Sequence, residues 1–125
     1  RFVDLPGYGY AKVPDEVRRS WRPMVETFLT TRVNMRGIVL LFDLRRMPSQ
    51  EDMAFWDWLQ ARGIAVIAVI TKVDKLSKNK RNRQVASIAK TLGCEPQRLL
   101  QFSAVSGEGR DKIWEQLIRL LEAEQ

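Results

Sequence analysis

Seven consecutive apolar residues, Ile64-Ala65-Val66-Ile67-Ala68-Val69-Ile70, run straight into the polar cluster Thr71-Lys72-Val73-Asp74. An apolar run rich in β-branched residues and lacking alternation is the pattern of a strand buried on both faces of a parallel sheet. Polar residues at the carboxyl end of such a strand lie on the edge where α/β sheets bind their ligands. The run therefore constrains both the fold and the place to look for chemistry.

Strand and helix signals alternate along the rest of the chain, which predicts an α/β layer fold. Arg1–Gly7 reads as a short apolar strand ending in D-x-x-G, followed by the Gly-containing segment Tyr8–Val13. Pro14-Asp15 opens a helix with Val17, Trp21, Met24, Val25, Phe28 and Leu29 on one face. Pro23 either kinks that helix or sits in the first turn of one restarting near Ser20. Ile38–Asp43 is the next buried strand. Ser49-Gln50-Glu51-Asp52 carries the cap-plus-acid signature of a helix start, and that helix holds Met53, Phe55, Trp56, Trp58 and Leu59 before Gly63. A further helix places Val85, Ile88, Ala89 and Leu92 on one face and ends at Gly93. Leu99–Phe102 forms a short strand. A last helix places Ile113, Trp114, Leu117, Ile118 and Leu121 on one stripe, which predicts that this stripe packs on the sheet.

At 125 residues and 45% apolar content, one core and one domain spanning 1–125 are expected. No apolar stretch reaches membrane-spanning length, so no membrane partner is expected. The lone Cys94 provides no disulfide framework and suits a reducing cytoplasm. The absence of histidine removes imidazole-based acid–base, nucleophilic and metal chemistry from the side chains present. The net charge of +6 is unevenly spread. Between Lys75 and Lys90 the basic residues Lys75, Lys78, Lys80, Arg81, Arg83 and Lys90 occur with no acidic residue among them. Cations in the opening turns of a helix oppose its dipole by about 0.3–1 kcal/mol each. Such a placement points to a polyanionic partner, nucleic acid above all.

Three short elements fall at strand ends in a telling order. Asp4-Leu5-Pro6-Gly7 reads D-x-x-G, Thr71–Asp74 reads T-K-x-D, and Phe102-Ser103-Ala104 contains S-A. This succession resembles the last three nucleotide-binding elements of GTPases. In such a protein Asp4 holds Mg²⁺ through water, and the Gly7 N–H approaches the γ-phosphate because no Cβ intervenes. Asp74 accepts two parallel hydrogen bonds from guanine N1–H and its 2-amino group, while the Lys72 stem lies along the ring and the Thr71 hydroxyl buttresses the loop. The backbone N–H groups of Ser103 and Ala104 face the guanine O6. Tyr8 stands where Ras-like GTPases carry the glutamine that orients the attacking water. No catalytic side chain is therefore evident, and slow intrinsic hydrolysis is expected. No G-x-x-x-x-G-K-[ST] loop occurs in the sequence, so the phosphate loop and first switch are expected upstream, in a longer chain.

Asp4–Val13, together with Thr71-Lys72-Val73-Asp74-Lys75-Leu76-Ser77-Lys78-Asn79 and Arg81-Asn82-Arg83-Gln84, is similar to the EngB (YihA/YsxC) GTPases of bacteria. The resemblance implies the C-terminal portion of a three-layer P-loop NTPase (Ras-like GTPase) fold with a mostly parallel sheet. It also implies a cytoplasmic, monomeric protein that binds GTP or GDP with Mg²⁺, assists assembly of the large ribosomal subunit and, in many bacteria, acts in septation during cell division. The nucleotide-facing residues carried over are Asp4, Leu5, Pro6, Gly7, Thr71, Lys72, Val73, Asp74, Phe102, Ser103 and Ala104. The ribosomal RNA interaction is expected at Lys75, Lys78, Lys80, Arg81 and Arg83. The competing expectation is an RNA-binding module whose GTPase elements no longer cycle. A membrane-associated GTPase of another branch is disfavoured by the lack of a basic amphipathic helix or lipidation motif.

Overall fold

The computed structural model describes residues 15–32 and 34–123. The chain divides into two compact units, Arg1–Met35 and Arg36–Gln125. In the first, Asp15–Thr31 forms helix α1, which does not restart near Ser20 but runs on with Pro23 inside it. Among its described side chains Trp21, Val25 and Leu29, spaced four apart, are buried, whereas Met24 is exposed.

The second unit contains β1 (Ile38–Asp43), α2 (Gln50–Ala61), β2 (Val66–Thr71), α3 (Lys78–Leu92), β3 (Leu99–Gln101) and α4 (Arg110–Glu122). The three strands form a parallel sheet in the order β1-β2-β3. Its register sets Asp43 opposite Thr71, and Ile70 opposite Gln101. The carboxyl ends of all three strands therefore lie on one edge, where loops of different origin can meet.

Alternation across the strands separates two faces. On one, Phe42, Ala68, Ile70 and Leu99 form a core with Trp56 of α2 and Val85, Ile88, Ala89 and Leu92 of α3. On the other, Ile67 and Val69 are also buried, and α4 packs on β2. With both faces of β2 covered, its near-continuous apolar sequence is explained. The layers run helix, sheet, helix.

The helix boundaries follow local chemistry. Ser49 caps α2 by accepting from the Asp52 N–H at 3.1 Å, and the Asp52 carboxylate returns the bond from the Ser49 N–H at 2.9 Å. Gly93 closes α3 in the left-handed conformation at φ 77°, where a Cβ would be strained.

Two strand expectations shift. β2 starts at Val66 rather than Ile64, because the Ile64 N–H is committed to the Leu59 carbonyl at the end of α2. β3 ends at Gln101. The stripe expected on α4 is divided: Ile113 and Leu117, with Leu120, are half-buried, whereas Trp114 is 52% exposed and Ile118 and Leu121 are exposed with it. The helix has apolar residues over a wider arc than one sheet face can cover. On the same side of the sheet, Leu41 of β1 is also exposed, at 63%.

Candidate functional site

The end of β2 bends sharply as it leaves the sheet. Thr71 is its last residue, and its hydroxyl donates to the Phe42 carbonyl of β1 at 3.3 Å. The hydroxyl thus ties two strands together instead of bracing the loop that follows, as the sequence had suggested. Lys72 then adopts the left-handed conformation, φ 61° and ψ 34°. Among the described residues it is the one non-glycine with positive φ. This turns the chain so that Val73 enters the core, fully buried, while Asp74 faces out. The Val73 N–H donates to the Phe102 carbonyl at 3.3 Å and the Phe102 N–H to the Ile70 carbonyl at 2.8 Å, stitching the loops after β2 and β3 together.

Between these loops lies a cleft of about 360 Å³ lined by Thr71, Lys72, Asp74, Lys75, Phe102, Ala104 and Val105. Such a volume falls in the roughly 300–1,000 Å³ range of small-molecule sites. Val73 and Ser103 do not line it. Ser103 is fully buried behind it, and its hydroxyl donates to the Asp74 carboxylate at 2.7 Å while accepting from the Ser106 N–H at 3.1 Å. The Ser103 hydroxyl, helped by the charges of Lys75 and Arg81, holds the Asp74 carboxyl below its ordinary range. Asp74 is therefore a preoriented anion. A carboxylate has about four lone-pair directions, so the serine leaves acceptor capacity for a ligand.

One backbone expectation is corrected. The Ser103 N–H does not face the cleft, because it donates to the Glu108 carbonyl at 3.1 Å. The Ser103 carbonyl in turn accepts from the Gly107 N–H at 2.8 Å, which closes the loop into a compact turn. Ala104 and Val105 line the cleft, and among the described residues neither N–H is taken by a hydrogen bond, so both are open to a ligand. Asp4, Leu5, Pro6 and Gly7, with Tyr8 to Val13, lie outside the described residues, and so does the Asp4 interaction expected with Mg²⁺. Among the described residues no group of three or more His, Cys, Asp or Glu side chains is arranged to hold a metal.

Comparison with known proteins bears on this geometry. The chain is 50% identical over 123 residues to the probable GTP-binding protein EngB of Geobacter metallireducens, and 52% identical over 122 residues to that of Geotalea daltonii. Each match takes in 98% of this chain. Over the stretch it spans, the chain is similar to these EngB proteins. It covers 60% and 59% of the length of these two curated relatives. A crystal structure of a probable GTP-binding protein EngB superposes with a TM-score of 0.81 over 96% of this chain and 75% of that one. At 18% identity that likeness establishes the fold, an α/β GTPase architecture with a parallel sheet. No protein-family model matches the chain.

The structure also brings forward residues that sequence reasoning passed over. Asp43, the last residue of β1, accepts from the Arg45 N–H at 2.9 Å and from its guanidinium at 3.2 and 3.0 Å, and the Lys72 ammonium lies 3.3 Å away. These partners, Arg45 foremost, hold its carboxyl well below the usual carboxylate range. An acidic residue ending a buried strand beside Thr71 was the available signal. Across the loop, Arg81 of α3 pairs with Glu108 at 2.7 Å and is only 18% exposed. Arg81 therefore leaves the solvent-facing basic cluster predicted from the sequence. Lys75 stands 3.8 Å from the Asp74 carboxylate at the cleft, and Lys78, Lys80 and Arg83 remain exposed on α3.

Proposed function

We propose that this chain carries the guanine-reading part of a GTP-binding protein that hydrolyses GTP slowly and assists assembly of the large ribosomal subunit. The observation that carries the reading is Asp74, set in the cleft after β2 with one oxygen held by Ser103. An ionised carboxylate fixed there can accept the N1–H and 2-amino protons of guanine together, a pair of donors that adenine lacks. Lys72 and Phe102 supply flanks for the ring, and the Ala104 N–H supplies a donor for O6. The names of the Geobacter and Geotalea relatives support guanine nucleotide as the ligand.

In this reading Asp4 would hold Mg²⁺ through a water, and the ion would supply neutralisation of charge on the phosphates. Tyr8 in place of a water-orienting glutamine supports slow turnover that a partner accelerates. The exposed cations Lys78, Lys80 and Arg83 support binding to the phosphate backbone of ribosomal RNA. A cytoplasmic location and a part in septation go with the family resemblance. The same cations favour a second reading, an RNA-binding module that does not cycle.

Phosphate release by the full-length protein, with and without large ribosomal subunits, separates the two. Multiple turnovers that subunits accelerate are the expected result. Binding to subunits with no turnover under either condition would favour the module.

A further inference from the structure

Arg81 is set apart from the other cations of its run. Lys78, Lys80 and Arg83 point into solvent, whereas the Arg81 guanidinium is mostly buried and has Glu108 as its carboxylate partner at 2.7 Å. Its Nε is buried without an acceptor among the described residues. A cation drawn out of water in this way depends on its paired carboxylate for placement. Glu108 is bound on both sides of its backbone as well. Its carbonyl accepts the Ser103 N–H, and its N–H donates to the Ser106 hydroxyl at 3.2 Å. The Ser106 N–H donates to the Ser103 hydroxyl, which donates to Asp74. A continuous series of hydrogen bonds thus runs from the first turns of α3 to the carboxylate in the cleft.

We infer that Arg81 and Glu108 form a clasp that positions Ser103, and through it Asp74, for base recognition. The inference rests on the base-reading role proposed above and adds to it a pair of positioning residues that touch no ligand. Without the clasp, the turn between Ser103 and Gly109 loses the one side-chain hydrogen bond that ties it to α3 among the described residues, and the Ser103 hydroxyl is free to drift from Asp74. The consequence is a loss of selectivity more than of folding, since a single ion pair with a half-exposed partner adds little to global stability.

The test uses the full-length protein and its affinities for GTP and ITP. Inosine lacks the 2-amino group, so the GTP-to-ITP ratio reports how well Asp74 is aimed. Glu108→Gln and Arg81→Gln should each weaken GTP binding about tenfold and shrink the GTP preference over ITP several-fold, within the range of one charge-assisted hydrogen bond. The exchanged pair, Arg81→Glu with Glu108→Arg, should recover most of both. Melting curves identify any variant that has failed to fold, and Glu108→Gln, on a half-exposed side chain, keeps the question answerable if Arg81→Gln does fail. Single variants that leave affinity and ratio within twofold, or an exchanged pair no better than the singles, would overturn the clasp. So would an Arg81→Gln variant that loses ribosomal subunit binding with its nucleotide selectivity intact. Asp74→Asn, run alongside, distinguishes the failures. If it abolishes the GTP preference while the clasp variants are silent, the clasp alone is wrong; if it leaves the preference untouched, the base-reading role falls first.

Discussion

A lysine in the left-handed region costs roughly 1–2 kcal/mol, and Lys72 is held there by what surrounds it. The buried Val73 on one side and the Asp43 carboxylate 3.3 Å from its ammonium on the other leave little alternative. The strain sets Asp74 toward the cleft. Asp43 matters twice, since it also anchors Arg45 through backbone and guanidinium hydrogen bonds. Asp43→Asn is expected to cost about 1–3 kcal/mol at pH 7, the range for hydrogen bonds to a charged group. Because the folded carboxyl is depressed, its contribution is fully present above the ordinary carboxylate pKa of about 4 and is lost as pH falls through the folded value. The stability gap between wild type and Asp43→Asn should therefore be constant from pH 7 to about 5 and narrow below pH 4. Chemical denaturation at stepped pH checks this. A gap that stays constant down to pH 3 would contradict it.

At the scale of elements, the turn leading into α4 is the tightest piece of the site. Gly109, at φ 84°, is so close to the Gln101 carbonyl that a Cβ there would collide with it, whereas a Cβ on Gly93 meets nothing within 4 Å. Gly93→Ala should cost about 1 kcal/mol for its conformation alone, and Gly109→Ala at least about 3 kcal/mol. Urea midpoints compare the two, and equal costs would contradict the close approach. Much of this architecture was legible in the sequence. β1 matched its apolar run end to end, and Ser49 with Asp52 announced the capping box. Both signals are local, carried by neighbouring residues. Side-chain pairings across the fold were not legible. Arg81 and Glu108 are 27 residues apart, and nothing in a run of cations says which one turns inward. Ser103 was found, but for its amide and not for the hydroxyl that holds Asp74, because S-A at a strand end does not reveal that the Glu108 carbonyl occupies the amide. The stripe of α4 showed apolarity but not which of its two sides β2 would cover.

For the whole molecule, the net charge of +6 resolves into distinct groups. Lys75 lines the cleft and Arg81 is paired with Glu108, while Lys78, Lys80 and Arg83 form an exposed face on α3. Replacing those three with Gln in the full-length protein should weaken association with large ribosomal subunits. The salt slope should fall by roughly 0.7–0.9 for each phosphate no longer neutralised. GTP affinity should not change, because none of the three lines the cleft. Titrations at several salt concentrations give both quantities. An unchanged slope would mean that this face is solvated surface and nothing more.

The central claim, that the cleft after β2 reads guanine through Asp74, is tested most directly by exchanging the ligand's pattern along with the residue's. Asp74→Asn in the full-length protein replaces two acceptors with one acceptor and one donor. Losing two charge-assisted bonds of about 1.5–3 kcal/mol each predicts a fall in GTP affinity on the order of a hundred- to ten-thousand-fold. Xanthine carries a carbonyl where guanine has its 2-amino group, so the new amide can donate to it and XTP affinity should rise. ATP, with neither N1–H nor 2-amino group, should bind poorly to both forms. A competition titration of GTP, XTP and ATP against wild type and Asp74→Asn gives the answer. The account predicts a switch from GTP to XTP; a variant that still prefers GTP over XTP would contradict it.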